Sequence, residues 1–437
     1  MSLENGEKVS ALVDKDYILR LATDLCDIYS PTGDEKAVAD FIYNEFGRLG
    51  LQRKYQEIYP GRFNVVGQLE GTGGGPTLML NGHMDISHTH RESEIPGEGY
   101  TFIEKELLVD EYESGQSRVV DDEWATGPGI MNMKSALAAY LGAVAALKEA
   151  GVSLPGDLII AAVSGEIEKT SVDGFRGPEY DGYGVGTRYL ITHGVSADMC
   201  ILGEPTALKI CPGHAGTVWL KLTVRGQLAH TAYSGGVVNA IDEMAYLMAL
   251  MKQWGREYEN SRRGSGIELK VNLGAVQGGW PWRVSRTAPQ CSLYLDVRTP
   301  PNCHPMDVKQ EIEEVLHQAR CERPGLRVEL EMLLTEPGAM ISSRERVYQG
   351  VWRSHQKVTG VEPEVVTMGW ISDATHLNRY GIPTVLYGPA GRTKEGADLS
   401  YGWQRIDDLT NASKVYALAV LDLCSDQRRR SEGWGTG

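Results

Sequence analysis

The chain has 437 residues and a net charge of −15. That length exceeds one compact core and suits two domains. Lysines and arginines are scattered instead of gathered in a patch, which argues against a general binder of nucleic acid or of an anionic membrane.

In chain order, residues 14–50 read as one or two helices broken at S-P-T-G, with Asp34 placed to cap the second. Short apolar runs follow, FNVVGQLEG and PTLMLNGHMD, of which TLMLN reads as a buried strand. Residues 88–124 are polar and irregular, a long loop. Residues 133–150, MKSALAAYLGAVAALKEA, are an Ala-rich helix stopped by Gly151. DLIIAAVSGE and ADMCILGEP are buried strands that each end in a carboxylate. Strands alternating with helices, with polar residues at the strands' C-terminal ends, make an open α/β sheet that binds ligand at those ends.

Near residue 210 the pattern changes. TVWLKLTVRG alternates apolar with polar, as an antiparallel strand half open to water does. A helix over 237–258, strands ELKVNLGAVQGG and QCSLYLDVRTPP, the helix DVKQEIEEVLHQARCE and the strand LRVELEML complete β-α-β-β-α-β, a ferredoxin-like order. RVYQGVWRSHQKVTG then reads as a helix, IPTVLYGP as a strand rejoining the first sheet, and DDLTNASKVYALAVLDLC as a terminal helix. Domain one is therefore expected over 1–209 and 333–437, with an insert over 210–332.

No stretch is expected to reach the ~18–20 apolar residues of a membrane span, and the polar N-terminus does not resemble a secretory signal. Seven cysteines stand far apart without CxxC, as reduced packing residues do. These features together predict a cytoplasmic protein.

Four segments carry chemistry. NGHMD places His83 and Asp85 at a strand end, the spacing of a metal-ligating imidazole and the carboxylate that orients it. GPGIMNMK turns through glycines into the Ala-rich helix at Asn132. SGEIEK offers Glu166 and Glu168, two acids able to divide base and ligand work. GEPT closes a strand on Glu204, a carboxylate that wants a cation. Singly, each is also what an ordinary loop or helix start contains.

Together, in this order, they resemble the metallopeptidase family of aminoacylase, acetylornithine deacetylase, succinyl-diaminopimelate desuccinylase and carboxypeptidase G. NGHMD is similar to that family's GHxD, GPGIMNMK to its GxGxxDMK, SGEIEK to its Glu-Glu pair, and GEPT to its GEPT. GQLAHTAYSGGVVNAI, LDVRTP and GWISDATHLNRYGIPTVLYGP extend the likeness over nearly the whole chain.

The resemblance implies a zinc-peptidase-like three-layer α/β catalytic domain with an inserted ferredoxin-like α+β lid or dimerisation domain. It implies His83 and Glu204 as metal ligands, Asp85 as the residue orienting His83, and Glu166 as general base. His230 would polarise the substrate from a neighbouring subunit, so a homodimer or larger homo-oligomer is implied. Asn239 and Arg298 would contact substrate.

The pattern also breaks. The family's bridging Asp is Asn132 here, its second Glu falls on Ile167 or, with a one-residue shift, Glu168, and its C-terminal metal histidine is absent, with Asp398 nearest that place. Fewer anionic and imidazole ligands predict one firm divalent ion, or one firm and one vestigial site, with Asn132 a candidate donor; the alternative is a rebuilt pair with Glu168 and Asp398 as substitute oxygen ligands, and oxygen-rich ligation suits manganese or cobalt over a tight zinc site.

The expected function is metal-dependent hydrolysis of a carbon–nitrogen bond in a small carboxylate-bearing substrate. The stretch GGWPWRVSR, with Trp280, Trp282, Arg283 and Arg286, suits a flat anionic ring and raises hydrolytic deamination of an activated aromatic amine of the 5-nitroanthranilate kind. Deacylation of an N-acyl amino acid or cleavage of a small peptide is the alternative, and a metal-free binding protein is the third possibility.

Overall fold

The computed structural model describes residues 3–86, 116–389 and 403–425. These fall into two compact units. The first comprises residues 1–212, 341–366 and 372–437; the second comprises 213–340 with 367–371. The second unit thus runs eight residues past the expected end at 332, because its last long strand is Val328–Glu336, and a further short strand, Ala339–Met340, pairs back on Gly213–His214.

The first unit is built on a six-stranded sheet in the order Gln52–Tyr59, Arg62–Leu69, Leu158–Val163, Leu78–His83, Met199–Leu202, Thr384–Leu386. The last four run parallel, and the first two form an antiparallel edge. Every residue of Leu78–His83 and Leu158–Val163 is buried, as befits parallel strands covered on both faces.

Alternation still sorts them. Leu78, Leu80, Leu158, Ile160 and Ala162 pack with the helices Lys15–Cys26, Ser135–Glu149 and Ile406–Leu423. Met79, Ile159, Ala161 and Val163 pack on the other face with Leu190, Ile191 and Leu377. Helices cover both faces of the sheet, in three layers.

Several expectations change. Asp34 does not cap the helix Lys36–Arg48; Glu35 occupies that place and sends its carboxylate elsewhere. An additional helix, Leu3–Ala11, precedes those expected. Of the loop expected over 88–124, residues 88–115 lie outside the described residues; Arg118–Val120 and Trp124–Thr126 are strands that join Trp403–Arg405 in a small antiparallel sheet. The stretch Ile130–Glu149 is, by length and composition, apolar enough to cross a membrane, contrary to expectation; in the fold it is mostly buried, as a core helix is.

The second unit is a four-stranded antiparallel sheet in the order Val271–Gly278, Gln290–Thr299, Gly216–Arg225, Val328–Glu336. Its helices are Ala240–Ser261 and Pro305–Glu322, giving the expected β-α-β-β-α-β order. Val218, Leu220, Leu222 and Val224 form one face of the central strand, packed with Met244, Leu247, Ile312 and Leu316 from the helices. The period-two pattern read in TVWLKLTVRG is that apolar face, but the opposite face is not open to water as expected: Thr217, Lys221 and Thr223 are buried as well, since the strand lies inside the sheet.

Candidate metal centre

Three parallel neighbours in the first sheet each end on a polar residue. His83 ends Leu78–His83, Glu166 lies just past Leu158–Val163, and Glu204 just past Met199–Leu202. Adjacent parallel strands bring their C-terminal ends together, so three residues far apart in sequence meet. Their ligand atoms lie within 4.8 Å of one another, and all three side chains are buried.

His83 is fixed at both nitrogens. Its Nδ1 is 2.8 Å from the backbone oxygen of Asp85, so Nδ1 carries a proton and donates it. Its Nε2 is 2.9 Å from Asn132 Oδ1 and 3.7 Å from Glu166 Oε2. The Asp85 carboxylate is 3.5 Å from Nδ1, so the expected orienting role falls chiefly to that residue's backbone carbonyl.

The Asp85 side chain does something else. It accepts from Thr32 Oγ1 at 2.8 Å, and from the N–H groups of Gly165, Glu166 and Ile167 at 3.1, 3.1 and 3.2 Å. A carboxylate receiving that many bonds stays ionised: burial opposes it, but the His83 interaction and the turn's donors hold Asp85 down to about 2. Asp85 therefore anchors the turn that carries Glu166.

The remaining acids are pushed the other way. Burial first and the Glu204 charge second raise Glu166 well above the carboxylate range, and burial, with Asp373 and Asp85 nearby, raises Glu204 to about 7. Burial disfavours a charged His83 ring, yet Glu166, Asp85 and Glu204 outweigh it and raise that ring's pKa well above 6.5. The cluster is short of positive charge.

Two further observations fit a cation. Glu204 Oε1 is buried without a hydrogen-bond partner, which is costly unless an ion occupies its lone pairs. Asn132 Oδ1 lies 2.9 Å from His83 Nε2, which donates to it when the ring is protonated; a bound cation would take that proton's place between the two atoms' lone pairs. The imidazole nitrogen and the oxygens of Glu204 and Asn132 are a suitable donor set for a divalent metal.

Asn132 does not start the Ala-rich helix. It sits in a kinked turn, Ile130–Lys134, ahead of Ser135–Glu149. Gly129 permits the turn: its φ is +76°, and a Cβ there would lie 2.4 Å from Ile86.

The profile of peptidase family M20/M25/M40 matches residues 79–422, a span that holds His83, Asn132, Glu166 and Glu204. The chain belongs to this family. It is accordingly a metal-dependent hydrolase acting on carbon–nitrogen bonds.

Among M20 relatives, the N-formyl-4-amino-5-aminomethyl-2-methylpyrimidine deformylase of Bacillus subtilis is 25% identical over 455 aligned positions, covering 95% of this chain and 96% of that protein. A succinyl-diaminopimelate desuccinylase of Nitrosomonas europaea is 26% identical and covers 82% and 92%. A tripeptidase from Staphylococcus aureus has the same fold, with a TM-score of 0.71 at 18% identity over 95% of this chain and all of that one.

The other sequence-derived residues fare unequally. Glu168 is exposed and stands outside the buried group, because the residue after Glu166 in the turn is Ile167, whose side chain is buried. Asp398 lies outside the described residues. In the second unit, His230 is exposed, and its Nδ1 accepts from Ala232 N–H at 3.1 Å, leaving Nε2–H as the donor of the neutral ring. Asn239 caps the helix Ala240–Ser261, its Oδ1 accepting from Ile241 and Ala288. Arg298 pairs with Asp296 at 3.0 Å. Trp282 is 76% exposed beside Trp280, ring centres 6.3 Å apart, and Arg283 is exposed.

Asp373 escaped the sequence reading. It is fully buried, takes a 2.6 Å bond from Thr187 Oγ1 at Oδ2, and its Oδ1 has no hydrogen-bond partner. Burial, reinforced by the Asp85 charge, raises it to about 6. An acid inside the apolar stretch WISDATHL was its one available signal.

Proposed function

We propose that the protein hydrolyses the amide bond of a small N-acyl compound, with one divalent ion held by His83, Glu204 and the Asn132 amide oxygen. The observation that carries this is the buried convergence of His83, Glu166 and Glu204 with an unpartnered Glu204 oxygen. Ile167 and Asn132 stand where the family pattern has anionic ligands, which favours one ion over two. The oxygen-rich set suits manganese or cobalt better than zinc. When bound, the ion supplies a water of lowered pKa and stabilises negative charge on the carbonyl oxygen.

The chain's residues do the rest. Glu166 accepts the proton of the attacking water and returns it to the leaving nitrogen. Its raised pKa suits a group that must hold that proton for a time. Asp85 keeps the Glu166 turn in place, and the Asp85 carbonyl sets the His83 tautomer so that Nε2 faces the ion. His230 offers Nε2–H to the substrate oxygen, supplied in this reading by a neighbouring subunit, and Arg298 a charge for the substrate's carboxylate.

A second reading keeps the nucleophile and changes the electrophile, to an activated aromatic amine of the 5-nitroanthranilate kind. Its support is the exposed Trp280–Trp282 pair with Arg283 alongside. The relatives described above are named for removing formyl and succinyl groups, which favours the amide.

The test is a manganese-loaded protein offered N-formyl, N-acetyl and N-succinyl amines and amino acids, beside nitro-substituted aminobenzoates. Release of the carboxylic acid, lost in Glu166→Gln, is the expected result. Ammonia from an aminobenzoate alone would select the second reading, and no release from any compound would sink both.

A further inference from the structure

Behind the turn that carries Glu166 sits a buried charge pair that the chemistry above does not use. Glu35 and Arg62 are 0% and 1% exposed. Arg62 Nη2 and Nε donate to the two Glu35 oxygens at 2.6 and 3.0 Å, a two-point fork. Arg62 Nη1 donates to the backbone oxygens of Pro178 and Asp181 at 3.0 and 2.9 Å. Glu35 Oε1 also accepts from Gly33 N–H at 3.0 Å.

These bonds converge on the base. Gly165, the residue before Glu166, lies directly against the guanidinium: a Cβ there would sit 2.5 Å from Arg62 Nη2. The 178–185 segment gripped by Arg62 is in turn bonded to the Glu166 turn, through Gly184 and Val185 N–H to Gly165 O, and Tyr183 N–H to Ile167 O. The 30–35 segment gripped by Glu35 supplies Thr32 to Asp85, the carboxylate that accepts from residues 165–167.

Stability alone is a poor explanation for such a pair. Desolvating two charges costs about what their attraction returns, and apolar residues of similar size often replace a buried pair without loss. What apolar residues cannot replace is a fork that fixes several backbone segments at set distances.

We infer that Glu35 and Arg62 are positioning residues for the catalytic base: the pair clamps segments 33–35 and 178–185 around the 165–167 turn and so holds Glu166 beside His83 Nε2. The inference rests on the reading of Glu166 as the proton carrier. Neither residue touches the reacting atoms. Removing the pair should loosen the turn while leaving His83 and Glu204, held by their own strands, in place.

The test compares the metal-free full chain with its Glu35→Leu/Arg62→Met variant, by thermal unfolding and by amide hydrogen exchange. Exchange over 165–167 should rise at least about tenfold while the helix Ser135–Glu149 and the unfolding temperature barely move. On an N-acyl substrate that the wild type cleaves, kcat should fall with KM unchanged. Exchange unchanged at the turn, or a uniform rise that follows a fall in unfolding temperature, would overturn the inference. Should the double variant not fold, Arg62→Lys serves: it keeps the charge, cannot make all four bonds, and should show the same local exchange. Exchange needs no substrate, so a protein without N-acyl hydrolase activity would defeat the proposed function separately from the clamp.

Discussion

His83 and His230 each lie in a motif that resembles one of the M20 family, and the structure treats them in opposite ways. His83 is buried, hydrogen-bonded at both nitrogens and surrounded by carboxylates that raise its pKa. His230 is exposed, with one ring nitrogen accepting from the backbone. The same contrast runs through their units. In the first, Asp85, Glu166, Glu204 and Asp373 are buried close enough for their charges to shift one another. In the second, Asn239 serves as a helix cap, Arg298 is paired, and Trp282 and Arg283 face solvent. A reacting centre needs its groups fixed and desolvated beforehand, whereas a recognition surface tolerates exposure.

The contrast sets an order of expected effects. Glu166→Gln should lower kcat by about 10²–10⁴-fold with metal content unchanged. Glu204→Gln should weaken metal binding by more than about 10-fold, measured by titration of the metal-free protein. His230→Ala should cost kcat about 10²-fold, the scale of a lost oxyanion donor, and leave metal affinity alone. If it weakened metal binding instead, the division between the two histidines would fail. Trp282→Ala should change stability by less than about 0.5 kcal/mol, as exposed substitutions do, and alter KM before kcat.

The acid cluster also predicts a pH dependence. Glu204 moves from 4.5 to about 7 and Asp373 from 3.8 to about 6, so between these values the folded protein binds more protons than the unfolded chain. Stability of the metal-free protein should therefore fall as pH rises through that window. A divalent ion competes with those protons, so its stabilisation should be larger at pH 8 than at pH 5. Thermal unfolding with and without manganese at both values checks the sign; a larger gain at pH 5 would contradict it.

The strand-end residues were legible because an apolar run that stops on His or Glu is a local signal, and parallel strands bring such ends together. One-residue choices were not. Whether Ile167 or Glu168 follows the base into the site depends on backbone bonds from residues 165–167 to Asp85, which no local pattern records. By residue type Asp34 is the better cap, yet Glu35 takes the N-cap position, and its carboxylate is drawn to Arg62, a partner 27 positions away. Arg62 merely opens an ordinary strand, and Thr32 sits in a break. Among the described side chains of the helix Leu3–Ala11, Val9 is the buried large apolar one, too thin a stripe to see. In the second unit, strand alternation and helix periodicity were strong enough to give the β-α-β-β-α-β order before any coordinates.

One divalent ion per chain is expected, on His83 and Glu204 and beside Glu166. The most direct measurement is anomalous scattering from crystals of the metal-free protein soaked in manganese, with the bound ions counted in solution by elemental analysis. One peak per chain, in contact with His83 and Glu204 and absent in Glu204→Gln, is the predicted result. Two peaks per chain, or a single peak away from these side chains, would contradict it.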